Sequence, residues 1–204
     1  MELVPTQEEV VRLLRRTGAI REGHFEYPNG LHANEYMQVQ LAMRYFQHAK
    51  VLSVGLSRLL RANPEIRAII PELSIVSPDT GGLPVAYGIC EALRAHQVYW
   101  ADRKQEGGPM QFRQYLEQMP GEKVFLVDDI LRSGRNLLEL KRLVESTGAE
   151  VVGLAVIVYQ PTPKTPDFSP LPFYYLAKLD ATYYMDAGSC DLCKRGVPAE
   201  KVWV

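Results

Sequence analysis

The sequence predicts an α/β fold, with a mostly parallel sheet flanked by helices. From about residue 68 onward, apolar strand-like runs alternate with glycine-rich turns and helical segments, the order a parallel sheet with crossover helices requires. The run EVVGLAVIVY (150–159) is β-branched and apolar throughout, as befits a strand covered on both faces. The chain has 204 residues, 47 % hydrophobic and 23 % charged, which suits one domain able to bury a real core.

The elements follow in order. Thr6 to Thr17 reads as a helix: Thr6 and Glu9 form a capping box, Val10, Val11, Leu13 and Leu14 supply an apolar face, and Gly18 ends it. GHFEYPNGLHANEYMQVQ holds two strand-like pieces around a Pro-Asn-Gly turn. Residues 47–62 are helical and closed by Asn63-Pro64. Residues 68–76 form an apolar run broken by Pro71; SPDTGG and a helix from about Leu83 to Ala95 come next. Short strands are expected at 97–101 and 123–127, the second followed by DDILRSGRN and a helix to about Thr147. Residues 102–121 break the pattern. They join two strands with weak periodicity and carry Arg103, Lys104 and Arg113, so they read as a functional lid.

Composition removes several function classes. The net charge is −1, with no basic excess to neutralise a nucleic-acid backbone. The longest apolar run, Val151 to Tyr159, is too short to span a bilayer. MELVPTQEEV lacks a basic segment followed by an apolar one, so no signal peptide is expected. Three cysteines fit a reducing cytoplasm better than a disulfide framework. Neither a nucleic-acid nor a membrane partner is expected.

The chemistry concentrates in Val124 to Asn136. A buried strand, VFLV, delivers Asp128 and Asp129; the loop LRSGRN follows, and then a helix begins. Backbone N–H groups in such a loop and at the helix start make an anion site, and Gly134 lets the backbone approach a phosphate. The two carboxylates cannot bind that phosphate. They suit sugar hydroxyls or a nearby cation. Together they describe a ribose 5-phosphate. A nucleotide P-loop is excluded, because GxxxxGK[ST] is absent.

This stretch resembles the signature of the type I phosphoribosyltransferases, VVLVDDVITTGGS. The resemblance extends in collinear order along nearly the whole chain, and it is closest to the orotate phosphoribosyltransferases. TGAIREGHFEYPNGLHANEYMQVQLAM is similar to their N-terminal hood segment, VSPDTGGLPVA to their diphosphate loop, and ADRKQEGGPMQFRQYLEQMPGEKVFLVDD to their mobile loop and return strand. CDLCKRGVPAEK resembles the C-P-L-C-x-x-G-x-P tail of one branch. The resemblance implies a type I phosphoribosyltransferase-like core at about 46–159, with a small hood from about 18–45 plus 160–204.

It also implies an activity, the transfer of ribose 5-phosphate from phosphoribosyl diphosphate to a base, with Mg²⁺ carried by the donor and no direct protein ligand. Asp128 and Asp129 would hold the ribose hydroxyls, Asp129 also favouring the positive charge that develops at C1. Leu131, Arg132, Ser133, Gly134, Arg135 and Asn136 would hold the 5-phosphate. Thr80, Gly81 and Gly82 would cradle the diphosphate. Lys104, with Arg103, would close over it from the lid, in the partner's site of a homodimer.

The chain departs from the family pattern at several places. Arg132 and Arg135 stand in a loop usually made of small residues, and Asp79 lies in the diphosphate loop. Tyr159-Gln160 replaces the usual Asp-Arg, whose arginine grips the orotate carboxylate; Gln160 lacks that charge. Pro28 stands where many members have lysine. Three readings follow: an orotate enzyme with a rearranged clamp that uses Arg132, a transferase for another base, or a non-catalytic protein that senses a phosphoribosyl ligand. Cys190 and Cys193 have metal-ligand spacing and are zinc candidates, but there is no second cysteine pair. His24 and His32 read as residues that orient the hood rather than as acid–base groups.

Overall fold

The computed structural model describes residues 4–105, 107–112, 120–163 and 165–202. Helix α1 (Gln7–Arg16) starts where the capping box predicts: Thr6 accepts from Glu9 N, and Glu9 accepts from Thr6 N. Val10 and Leu14 are its buried residues. An antiparallel hairpin follows, β1 (Ile20–Glu26) and β2 (His32–Met37), turning at the expected Pro-Asn-Gly. A short helix α2 (Gln40–Met43) leads into α3 (Phe46–Ala62).

The apolar run at 68–76 is not a single strand. Asn63 accepts from Glu65 N and Ile66 N and starts a further helix, α4 (Pro64–Ile69), with proline at its first position. A 3₁₀ turn over Ile70–Glu72 absorbs Pro71, and strand β3 begins only at Ser74 (Ser74–Pro78). Ile66 and Ile70 are buried, so their hydrophobicity serves helix packing rather than a strand.

From β3 the chain winds through α5 (Gly82–Leu93), β4 (Gln97–Arg103), β5 (Met110–Phe112), β6 (Lys123–Leu131), α6 (Arg135–Glu145), β7 (Glu150–Tyr159) and β8 (Phe173–Lys178). The six-stranded sheet has the order β5-β4-β3-β6-β7-β8, parallel except for β5. Strand alternation divides the core: Phe125 and Val127 face α3 and α5, while Val124 and Leu126 face α6 through Leu137, Leu140 and Val144. Each such large apolar side chain, fully buried, contributes about 1.5–3 kcal/mol.

Three expected boundaries move. β6 continues to Leu131, so the acidic pair lies within the strand and not past its end. Residues 102–121 are not structureless at their base, because β5 pairs back on β4; Arg113 lies outside the described residues. β8 pairs with β7, so this part of 160–204 extends the core sheet.

The small second sheet has the order β10-β1-β2-β9, where β9 is Tyr183–Tyr184 and β10 is Glu200–Lys201. Between them lies one helical turn, α7 (Asp191–Lys194). N-terminal and C-terminal segments thus share one sheet. No helix among the described residues is long and apolar enough to cross a membrane.

Candidate active site

The large sheet reverses its winding between β3 and β6. Loops that leave neighbouring strands in opposite directions open a crevice at the strands' carboxyl ends. Asp128 and Asp129 lie there, each only 7 % exposed, and Asp128 Oδ1 accepts from Asp129 N at 2.9 Å. Burial holds the Asp128 carboxyl well above the usual range, and the neighbouring Asp129 pushes it the same way. Burial also raises Asp129, against the hydrogen bond from Asp128 and the field of Arg132. The pair therefore binds protons tightly. Hydroxyl donors or added positive charge would suit such a pair.

The loop after β3 stacks directly on this pair. A Cβ on Gly81 would lie 3.0 Å from Asp129 Cγ and 2.5 Å from Gln40 Nε2. On Gly82 it would lie 2.9 Å from Ser77 Cβ and 3.1 Å from Asp128 Oδ1. Only glycine allows this approach. The Asp79–Thr80 peptide is cis, and Asp79 N donates to Ala101 O at 2.8 Å. A cleft of about 200 Å³ adjoins, lined by Asp79, Thr80, Ala101, Asp102, Arg103, Met110 and Asn136.

The loop after β6 opens α6. Gly134 has φ +69° and sits where a Cβ would meet Pro166 Cδ at 2.5 Å. The first turn of α6 carries no acidic side chain, so its free N–H groups keep their positive end. Ser133, Arg135 and Asn136 are exposed around it. Two residues of the expected phosphate loop depart from that picture. Leu131 is 2 % exposed in the core, so its side chain cannot reach a ligand. Arg132 turns away to the hood: its Nε donates to Gln160 Oε1 at 2.9 Å and its Nη2 to Met37 O at 3.0 Å. Packing against the Tyr27 ring, 5.9 Å from the guanidinium, completes its seat.

Gln160 is the hub of this second cluster. It is 1 % exposed, accepts from Arg132 and from Tyr183 OH (3.0 Å), and donates to Glu35 Oε1 at 3.3 Å. A side chain so buried positions Arg132 rather than meeting a ligand. Burial pushes the Tyr27 phenol up to about 12, against the pull of Arg132, and raises the half-buried Glu35 carboxyl. Tyr27, Glu35, Met37 and Tyr183 were not among the expected site residues. Their position in the hood segment and tail was the available signal.

The lid residues part company. Arg103 lines the cleft, but its guanidinium is held by protein partners. It forms a two-pronged pair with Glu139 of α6 at 2.7 and 2.8 Å and donates to Gly108 O at 2.6 Å. Glu139 also accepts from Met110 N at 2.6 Å. Hydrogen bonding to Arg103 lowers the Glu139 carboxyl and raises the guanidinium. Arg103 therefore latches the β4–β5 hairpin to α6. Lys104 is exposed, and no described residue pairs with it.

In the hood, Cys190 and Cys193 meet His24 and His32, with one nitrogen or sulfur of each within 4.8 Å of the others. A groove of about 760 Å³ lies elsewhere, between α1 and α3.

The sequence profile described as "Phosphoribosyl transferase domain" matches residues 61–170, which hold both loops and the acidic pair. Relatives named orotate phosphoribosyltransferase include that of Thermotoga maritima, 33 % identical over 94 % of this chain and 96 % of its own length. That of Carboxydothermus hydrogenoformans is 34 % identical over 95 % of each chain. Among solved structures, an orotate phosphoribosyltransferase from Aeropyrum pernix superposes with a TM-score of 0.66 at 19 % identity, over 83 % of this chain and 93 % of its own. With fold, collinear motifs and relatives in agreement, the chain belongs to the type I phosphoribosyltransferases, on the branch where the orotate enzymes lie.

Proposed function

We propose that the protein transfers ribose 5-phosphate from the Mg²⁺ complex of phosphoribosyl diphosphate to orotate, in the cytoplasm, as a homodimer. The observation that carries the acceptor is Arg132, whose guanidinium is held by Gln160 and Met37 O on the hood side of the acidic pair. A cation fixed there restores the carboxylate grip that Gln160 alone lacks, and a guanidinium suits a planar carboxylate.

The ribose hydroxyls donate to Asp128 and Asp129. The C1–oxygen bond breaks, diphosphate leaves with the electron pair, and a ring nitrogen of the base forms the new bond and releases its proton. Asp129 favours the positive charge at C1. The α6 N-terminus and the Ser133–Asn136 backbone hold the 5-phosphate, and the Thr80–Gly82 backbone the diphosphate. Mg²⁺ carried by the donor would screen the diphosphate from the exposed Asp79 carboxylate. Lys104 reaches a second copy's diphosphate. Its exposure supports this, as do the exposed rings of Tyr45, Phe46 and Tyr87, which offer apolar surface beside and along the packed helices α3 and α5. Three free cysteines suit a reducing compartment.

A second reading, a different base, is favoured by one observation. Glu35 lies beside Gln160, and a carboxylate there opposes an anionic acceptor. Its raised proton affinity weakens that objection. Diphosphate release should be followed with donor, Mg²⁺ and a panel of bases. Release with orotate is expected. Release with a purine and not with orotate would overturn the acceptor assignment, and donor binding without release from any base would overturn transfer itself.

A further inference from the structure

The hood has little of its own to hold it together. Its buried apolar cluster is Phe25, Tyr27, Ala33, Tyr36 and Val202, and α7 buries no side chain. Strand β10 pairs with β1 at only two positions, and the Arg21–Glu200 pair beside it is about half exposed. An exposed pair contributes little. Yet the tail after Cys190 returns to a defined register against β1, with Glu200 opposite Phe25 and Lys201 opposite Glu26.

Four side chains meet at that junction. His24 and His32 are diagonal neighbours on the β1–β2 hairpin, 5 % and 6 % exposed. Cys190 precedes α7 and is fully buried, and Cys193 lies three residues on, so one helical turn points both sulfurs at the hairpin. Cys190 Sγ is 3.5 Å from His24 Nε2; Cys193 Sγ is 3.6 Å from His24 Nε2 and 3.5 Å from His32 Nδ1. Tetrahedral zinc with Zn–S of about 2.3 Å and Zn–N of about 2.0–2.1 Å requires S···N edges of about 3.5 Å. The three separations match. The two nitrogens, 2.8 Å apart, must open by roughly half an ångström to reach a tetrahedral edge.

The protonation pattern fits as well. His24 Nδ1 lies 2.7 Å from Val197 O, an acceptor that obliges Nδ1 to carry the proton. That leaves the Nε2 lone pair facing the cluster, the arrangement in which a backbone carbonyl orients a metal-ligating histidine. Without a metal, His32 Nδ1 donates to His24 Nε2 at 2.8 Å, while the two thiols, weak hydrogen-bond partners, meet these ring nitrogens only at 3.5–3.6 Å.

We propose that His24 Nε2, His32 Nδ1, Cys190 Sγ and Cys193 Sγ bind one structural Zn²⁺ that staples the C-terminal tail to the N-terminal hairpin. On binding, the two thiol protons pass to solvent and the His32 ring proton resides on Nε2, so two thiolates balance the ion's charge. All four positions are filled by protein, which closes the site to substrate and makes its role structural. Its effect on the reaction rests on the transferase reading. β2 carries Glu35 and Met37, and β9, paired with His32 and Ala33, carries Tyr183 to Gln160. The staple therefore braces the acceptor side.

The test is metal content, which does not depend on activity. Chain produced without a histidine tag and dialysed against Zn²⁺ under reducing conditions should hold about one zinc by elemental mass spectrometry. The Co²⁺ form should show thiolate-to-metal charge transfer and tetrahedral ligand-field bands. Zinc should protect Cys190 and Cys193, but not Cys90, from alkylation in the wild-type chain, so the result does not depend on a variant that folds poorly. Cys193→Ser should lose the metal. Substoichiometric zinc with equal alkylation of all three thiols, with and without the metal, would overturn the site. So would octahedral Co²⁺ spectra, or a Cys190–Cys193 disulfide that persists under those conditions. Any of these leaves transfer to the base untouched.

Discussion

The strand ends of the core and the hood were built from sequence in different ways. The proposed donor side of the core is local: within 13 residues, Val124 to Asn136 supply a strand, two carboxylates, a glycine-bearing loop and a helix start, and a second short loop stacks on them through Gly81 and Gly82. The hood is discontinuous. Arg132 meets Gln160 and Met37, and Cys190 and Cys193 meet His24 and His32, across separations of 28 to 169 residues. The family profile covers the first region and omits most of the second. On the proposed function, the phosphorylated sugar is read by motif and the base by tertiary arrangement.

The largest effect belongs to the donor side. Asp129→Asn should lower kcat about 10²–10³-fold, measured as diphosphate release; an unchanged rate would remove the acidic pair from the chemistry. Lys104→Ala should be nearly inactive alone, yet mixing it with Asp129→Asn chains should restore turnover if the lysine serves a neighbouring copy. Absence of recovery in confirmed mixed dimers would place Lys104 in its own site. Gln160→Ala should raise the acceptor KM roughly tenfold, since it releases one hydrogen bond to the Arg132 guanidinium, and leave the donor KM unchanged. Equal rises in both would make Gln160 a general stabiliser.

A smaller effect concerns stability. Because burial raises the Asp128 carboxyl, the folded chain binds its proton more tightly than the unfolded chain does. Stability from this group is full below the ordinary value of 3.8 and is lost as pH rises through the raised folded value. Asp128→Asn should therefore melt a few degrees higher than wild type at pH 8, with a smaller gain at pH 5. A lower melting temperature at both would contradict the stated cause.

Much of the core was legible because its signals are short-range. The capping box at Thr6, the β-branched run at 150–159 and the carboxylates of β6 each lie within one element. Residues 68–76 misled because apolar composition does not separate a helix and 3₁₀ turn from a strand; Asn63-Pro64 was the better guide. The latch made by Arg103 was not legible, because its partner Glu139 lies in a different element, one helix turn beyond Asn136. The cysteine pair looked incomplete because its complement is two histidines some 160 to 170 residues earlier. No local pattern announces contacts of that kind.

Arg132 lies where the two regions meet, and it decides the account. Its sequence position says phosphate loop; its hydrogen bonds say hood. Steady-state kinetics of Arg132→Gln, with both substrates varied, separate the two. Loss of a charge-assisted contact to the acceptor predicts an orotate KM raised about 10–100-fold, with the phosphoribosyl diphosphate KM within about twofold of wild type. A raised donor KM with an unchanged orotate KM would return Arg132 to the phosphate and contradict the division drawn here.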